Sequence, residues 1–322
     1  YTRSSDLIGV TPDTVLAKEA GLELGIKESI VVNDRMETSV PDIYAAGDAV
    51  QVKHYVTGND ALISLAGPAN KHGRIIADNI CGGDSRYLGS QGSSVIKVFD
   101  MTAATTGINE TNAKKSGLEV DTVILSPMSH AGYYPGGKVM TMKVVFEKET
   151  YRLLGAQIIG YEGVDKRIDV LATAIHAGLK ATQLKDLDLA YAPPYSSAKD
   201  PVNMAGFMID NIAKGTLKQW HLEDMDKISK DKNVVLLDVR TVGEFNRGHM
   251  KGFNNIPVDE LRERISEIEK GKPVYLICQS GLRSYIASRI LEGNGYETYN
   301  FSGGFRFYDT VVNDRALRSE ER

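Results

Sequence analysis

The sequence has little cysteine: two residues, Cys81 and Cys278, far apart in 322. Two distant thiols make no disulfide framework and fit a reducing compartment, so a cytoplasmic protein is expected. Neither cysteine sits in a Cys/His cluster with zinc-ligand spacing, and no metal site is expected. The chain also lacks any Lys/Arg-rich run, and its net charge of -4 gives no reason to expect nucleic acid as a partner. No apolar stretch approaches the ~18 residues of a membrane span, and no signal peptide is visible. Tryptophan occurs once, at Trp220, inside the polar stretch "TLKQWHLEDMDKISKDK". What remains is a globular composition, 42% hydrophobic and 25% charged, in a chain long enough for two or three domains.

The opening "DLIGVTPDTVLAKEAGLEL" reads as a very short strand, a Thr-Pro-Asp turn and a short helix. A domain seldom opens with so little for a strand to pair against, so an earlier part of the domain is expected to be missing from this sequence. In "SIVVNDRMETSVPDIYAAGDAV", Val31–Val32 and Ile43–Ala46 read as strands, the second ending at Gly47-Asp48. "LISLAGPANKHGRIIADNICGG" reads as a helix with an apolar stripe of Ile75, Ile76, Ala77 and Ile80, stopped by Gly82-Gly83. From about Ser90 an α+β pattern of strands, a hairpin near Lys148-Glu149 and two helices runs to about Gly215. Beyond the polar stretch, strands alternate with helices: "VVLLDVR", "VDELRERISEIE", "PVYLIC", "RSYIASRILEGNG", "ETYNF". That alternation implies a small α/β domain with a mainly parallel sheet. The fold class is therefore α/β and α+β, multidomain. The expected divisions are 1–88, 89–215, a linker over 216–225, and 226–322.

In the last domain Cys278 ends the strand Val274–Ile277, where sites lie in open α/β sheets. Gln279-Ser280-Gly281-Leu282 form a tight loop, and Arg283-Ser284 open a helix. Backbone N–H groups at a helix start converge and favour an anion, here a thiolate nucleophile. Gly281 lets the backbone curl around the sulfur, and Arg283 is expected to add a fixed positive charge. Against this stands the ordinary case of a buried cysteine packed in a core; the strand-Cys-loop-Gly-x-Arg-Ser-helix context outweighs it.

The unit from roughly Asp224 to Tyr308 resembles the rhodanese family, through "LLDVRTVGEFNRGHMKGFNNIPVDEL", "YLICQSGLRSYIASRIL" and "FSGGF". The resemblance implies that Cys278 accepts a sulfane sulfur as a persulfide and passes it to a thiol, with the amides of Gln279 to Ser284 holding the persulfide. Asp238, Arg240, Glu244 and His249 belong to its supporting motifs and are expected to buttress the loop. Related phosphatases space Cys and Arg by five residues. The spacing here is four, a smaller loop that favours sulfur over phosphate.

Upstream, "TSVPDIYAAGDAV" resembles the flavin-binding signature of the pyridine nucleotide-disulfide oxidoreductases. The resemblance implies that Asp48, after Gly47, binds the ribityl chain of FAD. It also implies that the helix start at Ala66, Gly67, Pro68 and Asn70 approaches the flavin ring. "SHAGYYPGG", "GYEGVDKRIDVLA" and "YAPPYSSAKDPVNMAG" resemble the dimerisation domain of the coenzyme A-disulfide reductase branch, which includes rhodanese fusions acting as persulfide or polysulfide reductases. In that branch Tyr133 and Tyr191 would reach the coenzyme A disulfide site across a homodimer, with Tyr134 and Tyr195 as neighbours. From residue type alone, a tyrosine is more often half-buried packing with a satisfied hydroxyl. FAD, NAD(P)H and coenzyme A are the implied cofactors and partners, with small sulfur compounds and thiols as substrates.

Neither Gly-x-Gly-x-x-Gly motif of that family is present, and Cys81 does not match its redox cysteine. The chain is therefore expected to be the C-terminal portion of a longer reductase and to purify colourless. Three readings compete. The first is a portion of a flavin-dependent reductase fused to rhodanese. The second is a sulfurtransferase on an inert dimerisation scaffold. The third is a non-catalytic interaction module, which the intact cysteine loop opposes.

Overall fold

The structure, a computed structural model, describes residues 10–320. The chain divides into two compact units: Tyr1–Ser94 with Thr105–Ile108, and Val95–Ala104 with Asn109–Arg322. The strand expected within "DLIG" lies outside the described residues.

In the first unit a short helix α1 (Val15–Glu19) precedes β1 (Ile30–Val31), β2 (Val50–Lys53) and β3 (Asp60–Leu62). These form a sheet of order β1-β2-β3, parallel then antiparallel. The expected strand over Ile43–Ala46 is absent. An isolated bridge, Glu37 to Tyr44, and the bonds from Thr38 N–H to Ile43 O and from Ala45 N–H to Met36 O tie it to a neighbour without forming a strand. Gly47-Asp48 thus does not end a strand. With Ala49 it forms a 3₁₀ turn that leads into β2. Helix α2 (Ala66–Ile80) follows. Of the expected stripe, Ile75 and Ile76 pack against the core of Met36, Val50 and Val52, while Ala77 is exposed and Ile80 is 65% exposed; the fully buried positions are His72 and Asn79, two turns apart. Asn79 is satisfied there because its amide spans the carbonyls of Arg35 and Ser85 and accepts from Ser85 N–H.

The next sheet has the order β4-β5-β8-β7-β6, from β4 (Ser94–Val98), β5 (Met101–Gly107), β6 (Val120–Leu125), β7 (Thr141–Glu147) and β8 (Leu153–Gly160), with helix α3 (Glu110–Lys115) between β5 and β6. The expected hairpin joins β7 to β8, antiparallel throughout. Helix α4 (Val164–His176) buries Val164, Ile168, Leu171 and Ile175, the spacing of one helical face. Helix α5 (Pro201–Ala213) starts with Pro201 at its first position, and the Asp200 carboxylate accepts from Val202 N–H at 3.0 Å.

The segment expected as a linker is part of the last sheet. Its residues Gln219–Trp220 form β9, and Trp220 is buried among Phe253, Ile277 and Phe301. After helix α6 (Met225–Ile228) come β10 (Val235–Asp238), α7 (Val242–Arg247), β11 (Asn254–Asn255), β12 (Val274–Ile277), α8 (Leu282–Glu292), β13 (Thr298–Phe301) and α9 (Gly304–Glu320). The order β11-β10-β12-β13-β9 is parallel at every pairing, as the alternation implied. Along β12 the side chains alternate: Val274 and Leu276 enter one core cluster, Tyr275 and Ile277 the other. Cys278 continues the first set.

The helix expected over "VDELRERISEIE" is a run of turns with a 3₁₀ piece at Ile265–Glu267. The Tyr296 hydroxyl lies 3.2 Å from Ile265 O and 3.0 Å from Ile268 O, a tertiary contact that fixes the end of this segment.

Among the described residues, the tightest approach of a glycine to another segment's backbone is at Gly206 on α5. A Cβ there would lie 2.2 Å from Lys185 N and 2.6 Å from Leu184 C, which are backbone atoms that cannot swing away. Alanine gains up to ~1 kcal/mol of helix propensity over glycine; overpacking costs about 1–3 kcal/mol, and more where backbone must move. Gly206→Ala is therefore expected to lower the urea midpoint by the equivalent of ~2 kcal/mol or more, with an unchanged slope. An unchanged or raised midpoint would contradict the packing at this helix.

Candidate functional site

Strand β12 delivers Cys278 to its carboxyl end with 1% of the residue exposed. The Gly281 N–H donates to Sγ at 3.1 Å, and the Ser284 hydroxyl lies 3.2 Å from Sγ and 3.1 Å from Gly281 O, within reach of either with its one proton. Gly281 has φ +101°, a left-handed conformation that closes the loop before α8 begins. Buried Asn300 on β13 fixes the turn by donating to Gly281 O at 3.1 Å. Gln279 and Ser280 are half-buried. Leu282 is 66% exposed and forms an apolar lip.

Arg283 does not stand as a free charge. Its guanidinium makes a two-pronged pair with Glu244, both distances 2.7 Å. Glu244 also accepts from the N–H and hydroxyl of Thr241, at 3.0 and 2.9 Å. The Arg283 hydrogen bonds, helped by those from Thr241 and opposed by burial, hold the Glu244 carboxyl at about 2. The Arg283 guanidinium is raised chiefly by Glu244, with Cys278 a smaller contributor. Glu244 therefore anchors the loop, as expected.

Asp238 and Arg240 do so from the other side. Both are buried and doubly bonded to each other, and Arg240 stacks 3.8 Å over Phe305, donates to Gly248 O at 2.8 Å and reaches Gln279 Oε1 at 3.4 Å. His249 departs from its expected role. It is exposed, stacked on Phe245 at 3.8 Å, and bonded to Phe245 O rather than to the loop.

The same unit holds a second cluster. The hydroxyls of Tyr133 and Tyr191, 58 residues apart, meet at 2.5 Å. Tyr133 is 77% exposed and Tyr191 45%, and the shared bond raises the Tyr191 hydroxyl above its ordinary range. Tyr191 borders a cleft of about 490 Å³ that Lys166, Glu162 and Tyr195 also line. Tyr134 packs edge-on against His130, and Tyr195 is open to solvent. Both tyrosine loops hang on one buried cation. Arg167 pairs with Asp200 at 3.0 Å and donates to Ser129 O at 2.9 Å, to Tyr195 O at 3.3 Å and to Gly163 O at 3.1 Å.

In the first unit the turn Gly47–Ala49 lies beside the start of α2: the Ser64 hydroxyl donates to Asp48 O at 3.4 Å, and Gly47 N–H to His72 Nδ1 at 3.3 Å. Ala66, Gly67 and Asn70 are exposed on the first helical turn, with Pro68 half-buried, and Asn70 donates to Ala66 O. A Cβ at Gly67 would meet nothing within 4 Å. Cys81 ends α2, exposed.

Residues 93–201 match the pyridine nucleotide-disulphide oxidoreductase dimerisation domain, 6–73 the pyridine nucleotide-disulphide oxidoreductase domain, and 221–309 the rhodanese-like domain. A solved structure of reduced Bacillus anthracis CoADR-RHD superposes with a TM-score of 0.93 at 48% identity, over 96% of this chain and 56% of that one. A NAD-dependent persulfide reductase from A. fulgidus gives 0.85 at 41%, over 93% and 55%. An NAD(P)H sulfur oxidoreductase (CoA-dependent) of Pyrococcus furiosus is 39% identical over 60% of this chain and 44% of its own length. This chain carries pyridine nucleotide-disulphide oxidoreductase domains and a rhodanese-like domain. It spans about half the length of the relatives it matches.

A pyridine nucleotide-disulphide oxidoreductase implies FAD, and the residues present fit one end of it. Asp48 offers an acceptor for polyol hydroxyls beside an open helix start, whose leading N–H groups suit a polar ring edge. The residues missed by sequence reasoning are Arg167 and Asp200, which order the tyrosine loops, and Asn300. Arg167 had a visible signal, since it sits on the apolar face of α4 between Val164 and Ile168.

The Glu244 carboxylate is ordinarily half-protonated near 4.5 and is held at about 2 here. A depressed carboxyl contributes its full stability above the unfolded value and loses it as pH falls toward the folded one. The stability difference between wild type and Glu244→Gln should be constant above about pH 5 and shrink between 4.5 and 2. Denaturant midpoints across that range check this; parallel curves would refute the pair's contribution.

Proposed function

We propose that this chain is the sulfur-handling portion of a flavin-dependent NAD(P)H reductase of coenzyme A disulfides or persulfides, working as a cytoplasmic homodimer. The observation that carries the proposal is Cys278 Sγ seated between the Gly281 amide and the Ser284 hydroxyl at the mouth of a parallel sheet. The Cys278 thiolate attacks the outer sulfur of a donor such as thiosulfate. A new S–S bond forms, and the donor leaves with the electron pair as sulfite. The terminal persulfide sulfur carries the charge, which the amides from Gln279 to Ser284 stabilise at the start of α8. A thiolate acceptor, coenzyme A in this reading, attacks that outer sulfur. The acceptor leaves as a persulfide, and Cys278 returns as thiolate.

Bound flavin would supply two-electron transfer from the nicotinamide, with Asp48 on its polyol chain and the first turn of α2, Ala66 to Asn70, toward its ring. The Tyr133–Tyr191 pair would meet the coenzyme A sulfur end across the dimer. Support for the dimer comes from the exposed apolar residues Val95, Ile96, Val98 and Phe99 on and just after β4.

The test is persulfide trapping. After thiosulfate, the peptide bearing Cys278 should gain one sulfur atom that a reductant removes. Cys278→Ala should lack it and lose at least ~100-fold in transfer rate, the scale of losing a nucleophile. Transfer at the wild-type rate by Cys278→Ala would refute the assignment.

A further inference from the structure

Strand β6 is the edge of its sheet, and β9 is the edge of the parallel sheet. An antiparallel edge strand turns the backbone groups of alternate residues outward, where they need partners. On β6 these are Thr122 and Ile124, and their partners are specific. The Asp121 carboxylate accepts from Thr122 N–H at 2.7 Å, Gln219 donates to Thr122 O at 3.3 Å, and the Ser302 hydroxyl accepts from Ile124 N–H at 3.1 Å. His221 closes the seam at 3.2 Å from the Asp121 carboxylate.

Of these partners, Ser302 alone is continuous with the wall of the cysteine loop. It is buried, and its own N–H donates to Trp220 O at 3.0 Å. Gly303 and Gly304 follow with φ +99° and +69°. Gly304 packs so closely that a Cβ would lie 2.6 Å from Ser280 N and 2.7 Å from Gln279 C. Phe305 and Arg306 then donate their N–H groups to Cys278 O at 2.8 Å and Gln279 O at 3.2 Å. One hydroxyl thus stands between an amide of the antiparallel sheet and the turn that backs Cys278, Gln279 and Ser280.

We infer that Ser302 is a positioning residue through which the dimerisation domain sets the geometry of the persulfide loop. The inference rests on the reading that Cys278 transfers sulfur. Gln219 serves as the control, because it clamps the same edge of β6 without joining the Gly303-Gly304 turn.

The experiment uses the full chain, with steady-state thiosulfate:thiol transfer and amide hydrogen exchange. Ser302→Ala should lower kcat about tenfold with KM within about twofold, the signature of a misplaced reacting group. Exchange at the Phe305 and Arg306 amides should rise at least ~10-fold as the turn loosens. Ser302→Thr, which keeps the hydroxyl, should restore most of both, while Gln219→Ala should leave kcat within about twofold. If Ser302→Ala does not fold, Ser302→Cys, a weaker acceptor of similar size, should show the same split at about threefold. Wild-type kcat with unchanged exchange in the serine variants, or an equal loss in Gln219→Ala, would overturn the inference. If wild type itself transfers no sulfur, the functional reading fails, and the exchange at Phe305 still decides the coupling.

Discussion

The buried ion pair of Asp238 and Arg240 is the constraint on which the C-terminal domain is arranged. Two charges taken out of water seldom repay their desolvation, so such a pair is weak as a source of stability. Its consequence is geometric, because each remaining donor or acceptor must find a partner in one place. Arg240 finds Gly248 O and Gln279 Oε1, and its flat face lies on Phe305. Asn255 bridges the carbonyls of Asp238 and Arg240 at 2.9 Å each. The carboxyl ends of β10, β11 and β12 are thereby tied together, and the cysteine loop inherits that rigidity. Losing one partner would strand the other charge, at a cost of ~3–5 kcal/mol.

The middle domain uses the same device. Arg167, also buried, meets Asp200 and the carbonyls of two loops that are distant in sequence. The loops carry Tyr133 and Tyr191, whose exposed side chains would otherwise sample several rotamers. Fixing the backbone beneath them lets two solvent-facing hydroxyls meet. In both domains a buried cation with partners on several segments holds the backbone around the cluster.

The parallel sheet and the cysteine loop were legible in the sequence because both are local. Apolar runs of four residues, a glycine and a helix start lie within a dozen positions around Cys278. The tyrosine pair was legible only through family resemblance, since nothing between residues 133 and 191 announces that the two meet. The failures share a cause, tertiary partners overriding local pattern. The apolar periodicity of "VDELRERISEIE" suits a helix, yet the segment is a run of turns whose end is pinned by Tyr296. The polar stretch before Asp224 reads as a linker, yet Trp220 is buried in a sheet that becomes visible only once β13 is in place. Arg167 shows the converse: a charge on an apolar helix face is legible as an anomaly, but its partner at Asp200 is not.

The choice between sulfur and phosphate can be argued from charge as well as loop length. A phosphoryl group brings three equatorial oxygens and close to two negative charges, and a loop that binds it needs an arginine free to grip two of them. Here both prongs of Arg283 are occupied by Glu244, held ionised far below neutral pH. That carboxylate cancels the charge a phosphate would require and would repel a dianion. A persulfide asks for less. It adds one atom and at most one charge, already bonded to Sγ, and needs only short-range donors at a helix start. Glu244 therefore does two things at once: it anchors Arg283 as a strut of the loop, and it sets the loop's electrostatics against phosphate.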